Sequence, residues 1–231
     1  MKSTFFVLGA LALSAIAQPI ESTAGCPAVH VISARGSTEF PGEGIISFLV
    51  NDIISGSKQT VTREAVDYPA GLVDYDGSQI KGVVDMKAKL AAKTSACPNT
   101  KIVLTGYSQG AQVAGDVLAH KAPGTANGAI FSTRMKRRRL TWIFKIVVAA
   151  ILMGDPGHVS GESFQKGTAN AVNGFHARAS GALEDFAPVL NSFCDLGDPA
   201  CAGGLNLLTH ILYVVKYGSA ATKFVLDRIG G

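Results

Sequence analysis

The chain has 231 residues, 47% of them hydrophobic and 16% charged, an ordinary globular composition that excludes a chain too small or too polar to bury one sizeable core. Its formal net charge of +4 is misleading, because Arg134, Lys136, Arg137, Arg138 and Arg139 crowd into one short run. Without them the rest is nearly neutral, so no broad basic surface for nucleic acid is expected.

The first residues read as a secretory signal. Lys2 supplies the positive start, Phe5 to Ala15 the apolar stretch, and Ala15-Ile16-Ala17 a small-residue cleavage site. The apolar stretch is too short to span a bilayer and has no charged stop-transfer flank. The expected organisation is a signal peptide over 1–17, a short leader over 18–25, and a single domain over 26–231. An exported chain makes its four cysteines disulfide partners rather than metal ligands. Cys194 and Cys201 are close enough to close a small loop, which leaves Cys26 for Cys97. On the loop-entropy model the short bridge contributes roughly 2–3 kcal/mol and the long one about 4. The five histidines are scattered without metal-ligand spacing, so no metal is expected.

Val29 to Ser33 is a β-branched run and the first expected strand. Gly44 to Ile54 carries apolar residues at helical spacing, and Val61 to Val66 reads as a second strand. Ser78 to Ala92 returns to a helical period. Ile102 to Leu104 reads as a third strand, and a helix follows from Gln109 toward His120. Ile146 to Met153 is a fourth strand, Pro188 to Phe193 a fifth, and Tyr217 to Ile229 a closing helix. Buried strands alternating with helices predict an α/β fold with one parallel sheet covered on both faces.

Gly106-Tyr107-Ser108-Gln109-Gly110 falls at the third strand-to-helix junction. A G-x-S-x-G there is a nucleophile elbow: a tight, strained turn lifts the serine oxygen clear of the backbone. The plainer alternative is a glycine-rich turn whose serine caps the helix. A nucleophilic serine needs a histidine to take its proton and a carboxylate to orient that histidine. Downstream, His120 lies three turns along the same helix and is out of reach. His158 is a possible base, His176 reads as a surface histidine, and His210 lies where the order Ser, acid, His wants it. Asp198 and Asp155 are equal candidates for the acid, with Asp195 behind them. Oxyanion donors are expected from the backbone N–H of Gln109 and from Ser37, in the loop after the first strand.

Together these segments resemble the cutinase family of secreted esterases, which includes acetylxylan esterases. The resemblance is carried by Cys26-Pro27, Ala34-Arg35-Gly36-Ser37-Thr38-Glu39, Gly106-Tyr107-Ser108-Gln109-Gly110-Ala111 and Gly154-Asp155-Pro156. It continues through Cys194-Asp195-Leu196-Gly197-Asp198-Pro199-Ala200-Cys201, His210 and Tyr217-Gly218-Ser219. It implies a small α/β-hydrolase with a five-stranded parallel sheet and no cofactor. It further implies Ser108, Asp198 and His210 as triad, Ser37 and Gln109 as oxyanion hole, and the pairs Cys26–Cys97 and Cys194–Cys201. The expected activity is a secreted serine esterase acting on cutin-type polyester or short-to-medium acyl esters, as a monomer with no membrane span. Deacetylation of xylan is the alternative, and an inactive surface-binding protein on the same fold a second one. An apolar rim at Leu205, Leu207, Leu208, Ile211 and Leu212 favours an aliphatic acyl chain, unless those residues form the core face of a helix. The chain departs from the family pattern over about 131–145, where the basic run stands. That segment reads as a solvated loop, a mis-joined coding segment or an anionic-surface patch.

Overall fold

The computed structural model describes residues 25–119 and 146–230. The expected signal peptide, nearly all of the leader, His120 and the 131–145 segment lie outside the described residues.

Six parallel strands form one sheet in the order β2-β1-β3-β4-β6-β5. They are β1 (Val29–Ala34), β2 (Val61–Ala65), β3 (Lys101–Tyr107), β4 (Val147–Met153), β5 (Gln165–Lys166) and β6 (Leu190–Phe193). The strand beyond the expected five is β5, a two-residue edge piece with no hydrophobic pattern to announce it. The helices are α1 (Ser47–Gly56), α2 (Tyr75–Ala96), α3 (Gln109–Leu118), α4 (Leu207–Ile211) and α5 (Tyr213–Ile229).

Side chains alternate across each strand, so the sheet feeds two cores. Ile32, Ile102, Leu104 and Leu152 pack with Val83 and Met86 of α2 and Val113 and Val117 of α3. Val31, Val103, Ile151 and Met153 pack on the other face with Leu49 and Ile53 of α1 and Val225 and Ile229 of α5. In β4 the alternation changes phase, with Val147 on the first face and Ala149 on the second. The β3–β4 register shifts there, between Ile102 and Val103, and Val148 is the extra residue.

The chain runs from β1 outward to β2, then returns to β3 and proceeds through β4 to the other edge. The crevice between the carboxyl ends of β1 and β3 is therefore the switch point where open α/β sheets hold their ligands. Both disulfides form as expected, Cys26–Cys97 across 71 residues and Cys194–Cys201 across 7. Cys26 and Cys97 precede β1 and β3, at the end of the sheet away from that crevice. Replacing both by alanine is expected to lower unfolding free energy by about 4 kcal/mol. Denaturant titration reads that loss; kcat measured below the variant's melting range should stay at the wild-type value, and a fall there would contradict the separation.

Candidate active site

The turn between β3 and α3 has no spare residues: Tyr107 ends the strand, Gln109 begins the helix, and Ser108 alone makes the corner at φ 54°, ψ −123°. Such angles cost a non-glycine residue about 1–3 kcal/mol. Close approach explains the flanking glycines. A Cβ at Gly106 would lie 2.2 Å from the Gly110 carbonyl oxygen, and one at Gly110 would lie 2.1 Å from that of Ala34. The Ser108 N–H donates to the Met153 carbonyl at 2.8 Å, and its carbonyl accepts from the N–H groups of Ala111 and Gln112. Its side chain caps nothing. Ser108 Oγ instead lies 2.8 Å from His210 Nε2.

His210 sits in α4, a single short turn begun by Asn206, whose side chain accepts from the Thr209 N–H. Its Nδ1 is 2.8 Å from Asp198 Oδ2. The other Asp198 oxygen accepts from the N–H groups of Ala200 at 2.6 Å and Cys201 at 2.9 Å, inside the loop closed by Cys194–Cys201. Burial pushes the Asp198 carboxyl up. The hydrogen bond and charge of His210, the Cys201 N–H and the Tyr213 hydroxyl outweigh it and hold the group below its usual range. An ionised carboxylate only accepts, so Nδ1 carries the imidazole proton and Nε2 presents its lone pair to the serine hydroxyl. That tautomer can take the serine proton. The Tyr107 hydroxyl donates to the His210 carbonyl at 3.1 Å. Gly154, at φ 63°, lies under the ring; a Cβ there would be 2.9 Å from His210 Cε1.

The other sequence candidates are engaged elsewhere. Asp155 is buried against Arg178, at 2.5 Å from Nη1. Asp195 takes hydrogen bonds from Lys216 at 2.6 Å, Tyr217 at 2.7 Å and Thr168. Burial raises the Asp195 carboxyl, but these donors win and leave it below the ordinary value. His158 is buried between the Gln165 side chain and the Ala169 carbonyl. His176 stacks on Tyr75, with ring centroids 5.2 Å apart.

Gln109 opens α3, so its backbone N–H has no partner within the helix. Its side chain is fully buried and braced three ways: Oε1 accepts from Ser78 Oγ, and Nε2 donates to the carbonyls of Gly71 and Tyr75. Ser37 stands in the loop leaving β1, beside the same crevice. That loop is held by Glu39, whose carboxylate accepts from the N–H groups of Gly36 and Ile45, and by Arg35, which donates to the carbonyls of Glu39 and Tyr68. Thr38, at φ 65°, donates its N–H to the Ala70 carbonyl on the loop after β2. Sequence reasoning gave no role to Glu39, which braces the Ser37 loop, or to Gly154, which lies against His210; Glu39 alone had a local signal, three residues after the Gly36 it binds.

A family model described as Cutinase matches residues 25–229. The chain belongs to the cutinase family. Acetylxylan esterase 2 of Talaromyces purpureogenus is 37% identical over 240 residues, spanning 100% of both chains. Cutinase 11 of Verticillium dahliae is 34% identical over 99% of this chain and 78% of its own length. The catalytic core domain of acetyl xylan esterase from Trichoderma reesei superposes with a TM-score of 0.77 at 33% identity, covering 88% of this chain and 99% of that one. This cutinase-family chain is thus a serine ester hydrolase on an α/β-hydrolase fold.

Around His210 the leucines do not form a helix core. Leu205 is 98% exposed, Leu207 and Leu208 are 63% and 64% exposed, and Ile211 and Leu212 stay open to solvent. Leu72 and Val73, on the loop after β2, are also exposed at the same carboxyl-terminal end of the sheet. This end of the sheet in the cutinase-family chain thus exposes several aliphatic side chains, those on α4 and beside it being neighbours of His210 in the chain. Among the described residues no helix is long and apolar enough to cross a membrane, and no cluster of three or more ligand-type side chains is arranged for a metal ion.

Proposed function

We propose that Ser108 is the nucleophile, His210 its general base and Asp198 the carboxylate that orients the imidazole. The unbroken contact chain from Ser108 Oγ through His210 to Asp198, 2.8 Å at each link, carries the reading. His210 Nε2 takes the hydroxyl proton as Ser108 attacks the ester carbonyl. The Gln109 N–H and Ser37 hold the resulting oxyanion, each such donor being worth about 100- to 1,000-fold in kcat. His210 then protonates the leaving alcohol, and water releases the acyl group by the same steps in reverse order of partners.

The substrate class is an ester of an aliphatic acid, cutin-type polyester included. The exposed leucines beside His210 support it, because a solvated sugar backbone gains little from such a rim while an acyl chain gains about 25 cal/mol per Å² of apolar area it buries. Acetylated xylan is the second reading, favoured by the full-length 37% match to a protein named acetylxylan esterase 2. The enzyme acts outside the cell as a monomer, its 1–17 segment serving as the export signal; the two disulfides support an oxidising destination.

The test uses the purified protein on p-nitrophenyl acetate, butyrate and palmitate and on acetylated xylan, beside labelling with a p-nitrophenyl phosphonate. The expected outcome is one label per chain on the peptide holding Ser108, and butyrate or longer esters turned over faster than acetate. A label on another residue would sink the nucleophile assignment. Acetate preference together with acetate release from xylan would transfer the substrate to the second reading.

A further inference from the structure

Asp155 follows Gly154 in a motif that the triad does not use. Its carboxylate takes a forked contact from Arg178, Nη1 to Oδ2 at 2.5 Å and Nη2 to Oδ1 at 3.3 Å. The same guanidinium donates from Nε to Asp116 Oδ1 at 2.7 Å and from Nη2 to the Gln112 carbonyl at 2.9 Å. The Arg178 side chain is 2% exposed, against 4% for Asp116 and 1% for Asp155. Two glycines make its slot: a Cβ on Gly115 would lie 2.3 Å from Nη2, and one on Gly157 would lie 2.3 Å from Nη1.

These contacts join two pieces of the site. Gln112, Gly115 and Asp116 belong to α3, and the Gln112 N–H closes that helix onto the Ser108 carbonyl at 3.1 Å. On the other side, Asp155 adjoins Gly154, the residue lying under the His210 ring. We infer that Arg178 is a positioning residue for ester hydrolysis, fixing the helix that begins at Ser108 against the turn that supports His210 and thereby setting the Oγ–Nε2 distance. The inference rests on the Ser108–His210 reading above. Burying an ion cluster seldom adds net stability over apolar residues of like volume, so stability alone does not account for this one. A planar fork with several directed donors does fix geometry, which a lysine cannot reproduce. A displacement of about 1 Å in such a pair costs about 100-fold in rate.

Arg178→Lys keeps the charge but not the fork. Gly115→Ala keeps every charge and favours the helix, yet its methyl would push the guanidinium aside. Each is assayed on p-nitrophenyl butyrate below its melting range by circular dichroism, with Ser108→Ala run in parallel. Arg178→Lys is expected to lose about tenfold or more in kcat with KM within about twofold, and phosphonate labelling should slow in step. Gly115→Ala should show the same pattern, smaller, with a lowered Tm because the buried guanidinium must shift to admit the methyl, and it decides alone should Arg178→Lys not fold. Wild-type kcat and labelling in folded variants, or a loss confined to KM, overturns the inference. Turnover surviving in Ser108→Ala would instead remove the triad reading, whatever Arg178 does.

Discussion

Ser108→Ala is expected to lower kcat on p-nitrophenyl butyrate by about 10⁶-fold, the scale at which a serine nucleophile and its histidine fail together. The residual rate comes from the oxyanion donors and binding, about 10³–10⁴ over water. The substitution should leave stability almost untouched, because the Ser108 side chain caps no helix and its hydroxyl instead meets His210. Alanine inherits the same strained corner at φ 54°, so thermal melting of the two proteins should nearly coincide. Ser108→Gly makes a useful companion: glycine accepts that φ without strain, and the variant should be equally inactive yet more stable by about 1 kcal/mol. Stopped-flow and steady-state assays together with melting curves read both effects. A Ser108→Ala protein that keeps more than about 1% of wild-type turnover would mean that another residue attacks the ester.

The corner itself was legible in the sequence because its signal is local. Two glycines around Ser108 announce a backbone crossing, and the β-branched run before them announces a strand. The central strands β1, β3 and β4 were legible for the same reason, being continuous apolar runs buried on both faces. Helix starts were less so. α2 begins at Tyr75 rather than near Ser78 because the Asp74 side chain accepts from the Gly77 N–H, a polar cap placed ahead of the apolar periodicity. α5 begins at Tyr213, not Tyr217, and the five-residue α4 before it is too short to show any period. Residue pattern alone left Asp198 and Asp155 equal, since both end or follow strands; the family resemblance pointed to Asp198, and the fold supplies the physical reason, one meeting His210 while the other meets Arg178. Arg178 itself carried no signal, since its partners lie 23, 62 and 66 residues away. The leucines near His210 were ambiguous because periodicity describes a face and cannot say whether that face is covered.

Asp198→Asn should lower kcat by about 10⁴-fold with little change in KM, and the structure says how. The Ala200 and Cys201 N–H groups both need an acceptor, so the amide oxygen of the new residue stays with them. Its NH2 is then turned toward His210 Nδ1, which must become the acceptor. The imidazole proton moves to Nε2 and points at Ser108 Oγ, where a lone pair is required. The wrong tautomer is enforced without disturbing the disulfide loop, so the melting temperature should fall only slightly. Asp155→Asn gives the opposite signature. It removes one carboxylate from a buried guanidinium and costs about 3–5 kcal/mol of stability. The hydrogen bonds among Ser108, His210 and Asp198 survive it, so kcat below the melting range drops about tenfold rather than 10⁴-fold. Measuring kcat and unfolding free energy for both variants separates the two aspartates on two axes at once. Should the 10⁴-fold loss fall on Asp155→Asn and the stability loss on Asp198→Asn, the roles assigned to the two carboxylates would have to be exchanged.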